Sequence, residues 1–127
     1  MFKYYCCQNS NHGRRNQVQK EYYLHRFTQK HLKELFDLKF VASEIQHKNL
    51  RFDNLAFDDE NNSFVIIEYK NRLSKNVLKQ AQVYYDLVKE DRDYFIKLLD
   101  KKVDVNINNT KIMIIGPKFD QEQIDNA

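Results

Sequence analysis

The stretch Phe64-Val65-Ile66-Ile67-Glu68-Tyr69-Lys70 constrains the fold of this chain more than any other. Four consecutive apolar residues, three of them β-branched, spell a buried strand. Side chains alternate along a strand, so Glu68 and Lys70 share the face that carries Phe64 and Ile66. A carboxylate and an ammonium are thereby aimed at the core side of a sheet, where an ionic group needs a partner.

The segment before it, Leu50 to Asp58, also reads as a strand, and Asp59 to Asn62 form a polar turn of residues that tolerate unusual backbone angles. Closing a hairpin on that turn sets Asp58 opposite Ser63, Phe57 opposite Phe64, Leu55 opposite Ile66 and Asp53 opposite Glu68. This register gathers Leu55, Phe57, Phe64 and Ile66 on one apolar face, which supports it independently. It also sets two carboxylates side by side, which is destabilising unless one stays protonated or a cation lies between them. Lys70 is one candidate cation and a divalent metal ion the better one. Two carboxylates can hold Mg²⁺ or Mn²⁺, the metal can polarise a phosphodiester and activate water, and a nearby lysine can orient or deprotonate that water. Asp53, Glu68 and Lys70 meet this requirement by spacing.

The rest of the chain supplies the flanking elements. Two short helical stretches are predicted between Glu21 and Leu38, the second capped by Thr28 with Leu32, Leu35 and Phe36 on one face. Residues 39–46 alternate as a first strand. A helical pattern runs from Ser74, its N-cap, to Leu99, with Val77, Ala81, Tyr84, Val88 and Phe95 near one stripe and a break near Asp91. Residues 103–107 alternate as a strand that Asn108-Asn109 can turn back into a final strand ending at Gly116-Pro117. Residues 1–19 are polar and mixed, with no clear period. The order helix, three strands, long helix, strand predicts an α/β fold with a mixed central sheet.

At 127 residues the chain suits one domain, and no apolar run is long enough for a transmembrane helix or a signal peptide. Cys6 and Cys7 are adjacent and cannot build a disulfide framework, which fits a reduced, cytoplasmic protein. The net charge of +3 is unevenly spread: residues 1–40 carry eight Lys or Arg against three Asp or Glu. Arg14, Arg15 and Lys20 belong to this basic N-terminal segment, residues 1–20, which suits contact with an anionic polymer such as DNA. The four histidines, His12, His25, His31 and His47, show no metal-ligand spacing.

The segment from Arg51 to Lys70 resembles the core motif of the PD-(D/E)XK nuclease superfamily, an Asp on one strand followed by Glu-x-Lys at the end of the next. The closer likeness is to NucS-type endonuclease and RecB-like domains, with Arg51, Asp53, Glu68, Lys70, Gln80 and Tyr84 in matching places over about residues 21–117. Phe52 stands where the motif has proline, Leu50 where the nearer families often have glycine, and Asn54 where they prefer an apolar residue. The resemblance implies a restriction-endonuclease-like core spanning residues 21–127 as a single domain. It implies a Mg²⁺- or Mn²⁺-dependent deoxyribonuclease, endonuclease favoured, acting without a membrane and compatible with a homodimer. Asp53 and Glu68 would ligate metal, joined by Glu21 in the first helix and Glu44 on the first strand. Lys70 and Gln80 would complete the catalytic set, while Arg51 and Tyr84 would touch nucleic acid beside Arg14, Arg15 and Lys20. The alternatives are a non-catalytic nucleic-acid-binding or assembly module on the same fold, and an unrelated α/β interaction domain whose Glu-x-Lys is incidental.

Overall fold

The computed structural model describes residues 2–6, 25–70 and 75–116, with the backbone alone described for 2–6. The strands are β1 (Phe2–Cys6), β2 (Lys39–His47), β3 (Leu50–Asp58), β4 (Ser63–Tyr69) and β5 (Lys111–Gly116). They form one five-stranded sheet in the order β1-β5-β4-β3-β2. The pairs β2–β3 and β3–β4 are antiparallel, while β4–β5 and β1–β5 are parallel, so the sheet is mixed. Among the described residues four α-helical segments accompany it: α1 (25–30), α2 (Leu32–Phe36), α3 (Lys75–Glu90) and α4 (Arg92–Ile96). None of the described helices is long and apolar enough to cross a membrane.

β4 lies at the centre and is buried along its whole length, which is why its sequence is a continuous apolar run and not an alternating one. On one face, Leu55, Phe57, Phe64, Ile66, Ile112 and Ile114 pack against Ala81, Tyr84 and Val88 of α3 and Phe95 of α4. On the other, Ala56, Val65, Ile67, Tyr69, Met113 and Ile115 pack with Leu32 and Leu38, around α2. The result is a three-layer α/β/α arrangement, in which parallel strands β4 and β5 are joined by a helical crossover.

The turns follow their residues. Lys48 and Asn49 both have positive φ, at 48° and 65°, and close the two-residue β2–β3 hairpin. The Asp58 carboxylate accepts backbone bonds from Glu60 and Asn61, at 3.0 and 3.3 Å, and so organises the β3–β4 turn. Asn62 takes φ 51° in that turn. The expected register holds for Asp58–Ser63, Phe57–Phe64 and Leu55–Ile66. The break in the long helix falls at Asp91, as expected; the helical run ends at Ile96, short of the expected Leu99, and Ser74, the expected N-cap, lies outside the described residues.

Three expectations are corrected. Residues 103–107 do not form a strand: Val105 and Ile107 are buried and Asp104 and Asn106 exposed, but the segment leads into a 3-10 turn, Ile107–Asn109. The alternation reports one-sided burial alone: β5, the strand it was expected to turn back into, is already flanked by β4 and β1. Thr28 does not cap α2; it is buried within α1, and His31 occupies the N-cap position without a side-chain bond. Leu35 points outward at 48% exposure, because a one-turn helix ending at Asp37 (φ 55°) buries only Leu32 well. In addition, residues 2–6, in the stretch with no legible period, supply a parallel strand beside β5.

Candidate metal and phosphate site

The site lies where β3 and β4 part. The β3–β4 ladder ends at Asn54–Ile67, one position short of Asp53 and Glu68. A local reversal on β3 and β2 coincides with the splay. Ala42 and Leu55 are paired, Ile45 and Phe52 are paired, and all four contact the same core. Residues three apart in a regular strand would face opposite sides. Both strands therefore change facing between these pairs, at Glu44 and Asp53, which fall between the paired positions Ser43–Asn54 and Ile45–Phe52, and Glu44 takes φ 50° there.

Side chains take over where the ladder stops. The Asp53 N–H donates to Glu68 Oε1 at 3.2 Å, and the Tyr69 N–H donates to Asp53 Oδ2 at 2.9 Å. Each carboxylate thus reaches across to the other strand's backbone, which fixes both at one end of the sheet. Glu68 is buried, at 3% exposure, on the face toward α3. Burial foremost, and then the neighbouring Asp53 charge, push its carboxyl up to about 9, with Lys70 opposing weakly. Without a cation the pair therefore holds a proton at neutral pH.

Tyr84 closes the α3 side. Its ring packs on Phe52 at 4.7 Å, and its hydroxyl accepts from Gln80 Nε2 at 2.9 Å. Burial first, and then the charges of Glu68 and Asp53, raise the Tyr84 hydroxyl to about 12, so this ring borders the carboxylates. Gln80 is exposed beside it. Lys70 follows β4, its N–H bonded to the Ile115 carbonyl at 2.9 Å. Its side chain is half-buried and makes no ion pair with Asp53 or Glu68 among the described residues.

The remaining expected residues are placed differently. Glu44 is exposed and its Oε1 is bound by Arg51 Nη2 at 2.9 Å, so an expected metal ligand and an expected phosphate contact are paired with each other. Among the described residues no group of three or more His, Cys, Asp or Glu is assembled, and Asp53 and Glu68 stand as a pair. Arg14, Arg15, Lys20 and Glu21 lie outside the described residues. On the back of the sheet, Tyr69 O–H donates to Asn54 Oδ1 at 2.6 Å, and Asn54 Nδ2 donates to Gln29 Oε1 at 3.1 Å. Asn54 and Tyr69 were not among the expected site residues; the signal was a lone polar residue, Asn54, inside the apolar part of β3.

No family model matches this chain, and no solved structure matches it. It is similar to an uncharacterized protein of Haemophilus influenzae, 38% identical over 92 residues, an alignment covering 67% of this chain and 30% of the relative. The chain thus spans less than a third of that relative's length. Fold and site define an α/β protein with a mixed sheet and a carboxylate pair where two strands diverge.

Proposed function

We propose that this chain is a metal-dependent nuclease that hydrolyses phosphodiester bonds, with DNA as substrate and internal cleavage favoured. One observation carries the reading: the reciprocal lock of Asp53 and Glu68 onto each other's strands, with Lys70 two residues beyond. Burying two carboxylates together costs a chain stability, because one of them must keep a proton that it would otherwise release at neutral pH. Such a pair is intelligible as a cation site.

The donor set fits Mg²⁺ or Mn²⁺, which prefer hard oxygen ligands and retain several waters. The amides occupy Asp53 Oδ2 and Glu68 Oε1, which leaves a second oxygen on each carboxylate for the ion. Glu21 and Glu44 remain proposed further ligands; Glu44 would have to leave Arg51 to serve. When bound, the cation would polarise the phosphodiester and lower the pKa of a coordinated water.

The chain's own groups then have separate tasks. Lys70 aligns the attacking water or takes its proton, and steadies charge growing on the phosphate. Gln80, held by Tyr84, orients that water, and Tyr84 supports it from the helix edge. Arg51 and the basic residues Arg14, Arg15 and Lys20 hold the anionic backbone. These roles agree with the resemblance to the PD-(D/E)XK nucleases drawn from the sequence.

The test is calorimetric titration with Mn²⁺, followed by incubation with duplex, single-stranded, flapped and branched DNA. Wild-type protein is expected to bind Mn²⁺ and cut at least one of these, and Asp53→Asn to lose both properties. Binding of Mn²⁺ and DNA without cleavage would favour the non-catalytic module on the same fold. No Mn²⁺ binding and no cleavage would remove the nuclease reading.

A further inference from the structure

A fully buried asparagine beside Leu55, Ala56 and Phe57 is costly unless its amide is satisfied. Asn54 is satisfied, by Tyr69 on one side and Gln29 on the other. The Tyr69 ring is held in turn by the His25 imidazole, stacked at 4.4 Å and 18°. The position of this network gives it meaning. Asn54 follows Asp53 on β3, and Tyr69 follows Glu68 on β4. The Asn54–Tyr69 bond therefore crosses the gap between the strands directly behind the carboxylates. It does so where the backbone ladder has ended.

The gap is thus bridged from both faces. In front stand the bonds of Glu68 Oε1 and Asp53 Oδ2 to the opposite backbone; behind stands the 2.6 Å bond between two side chains that are at most 1% exposed. A strand residue's direction is set by its neighbours, so pinning residues 54 and 69 from behind sets how residues 53 and 68 face each other. We infer that Asn54 and Tyr69 are positioning residues, a clasp on the back of the sheet that sets the Asp53–Glu68 separation and hence the affinity of the site for a divalent cation. The cation clause rests on the proposed nuclease site.

The experiment compares wild type with Tyr69→Phe, Asn54→Leu and the double variant. Val65→Ala serves as a control that damages the same buried face away from the gap. Two quantities are read: amide hydrogen exchange at Asp53 and Tyr69, and Mn²⁺ affinity by calorimetry. Tyr69→Phe is expected to speed exchange of those two amides while Leu55 and Ile66 stay protected. It is expected to weaken Mn²⁺ binding about tenfold, as loss of a group that orients a ligand does. The double variant should lose no more than either single one. Val65→Ala should lower the melting temperature and change neither readout. Unchanged exchange at Asp53 and Tyr69, or faster exchange with unchanged Mn²⁺ affinity, overturns the assignment. Should wild type bind no Mn²⁺, the nuclease reading falls, and amide exchange alone decides whether the clasp exists.

Discussion

Replacing Glu68 by glutamine should make this protein more stable at neutral pH, and the size of the gain follows from the site. The native carboxyl, pushed to about 9 by burial and by Asp53, keeps its proton where the unfolded chain, at the ordinary 4.5, has released it. The native state therefore binds the extra proton, and stability falls as pH rises from about 4.5 to about 9. At pH 7 the unfolded form is about 2.5 units past its midpoint, which at about 1.4 kcal/mol per unit costs the native state roughly 3 kcal/mol. Glutamine keeps an oxygen for the Asp53 N–H, and its NH₂ can donate to Asp53 as the protonated acid would. It should recover most of that energy, raising the melting temperature by about 10 °C. Thermal melts in EDTA from pH 5 to pH 9 should show the two proteins close at pH 5 and diverging steadily above it. Added Mn²⁺ should then lift wild type and leave the variant unmoved. Parallel curves across the range, or a variant less stable than wild type at pH 8, would mean that Glu68 does not hold its proton in the native state.

Charge reversal at Arg14, Arg15 and Lys20 should weaken DNA binding for all sequences alike and reduce the slope of log affinity against log salt by about 3. An unchanged slope would route the strand elsewhere. Phe95→Ala should cost about 3–5 kcal/mol in denaturant unfolding, because this fully buried ring meets Phe52, Tyr94 and His47 and anchors α4 to the sheet. A loss under 1 kcal/mol would mean that α4 is not docked as described.

The hairpin was readable because two independent signals agreed: a four-residue polar turn and a register that gathers Leu55, Phe57, Phe64 and Ile66. That register predicted Asp53 beside Glu68 but not how they meet. The reversal at Glu44 and Asp53 shows only in the pairing of β2 with β3 and in the positive φ of Glu44, which no local sequence pattern records. Asn54 shows the same limit. In sequence it departs from an apolar preference, and only the fold brings Tyr69 and Gln29 to it. Residues 103–107 misled because alternation marks a buried side and not a hydrogen-bonded neighbour. Glu44 shows that acidity and spacing cannot separate a ligand from one half of an exposed ion pair with Arg51.

The most direct test of the central claim is single-turnover DNA cleavage by Lys70→Ala in Mn²⁺, with the melting temperature measured on the same sample. Lys70 follows the carboxylates on β4 and forms no ion pair with them among the described residues, so its loss should leave no buried carboxylate newly unpaired. Cleavage should be abolished while Mn²⁺ binding, DNA binding and melting temperature stay near wild type. A destabilised variant that still cuts DNA would contradict the central claim, because Lys70 would then be a structural strut and not part of the chemistry.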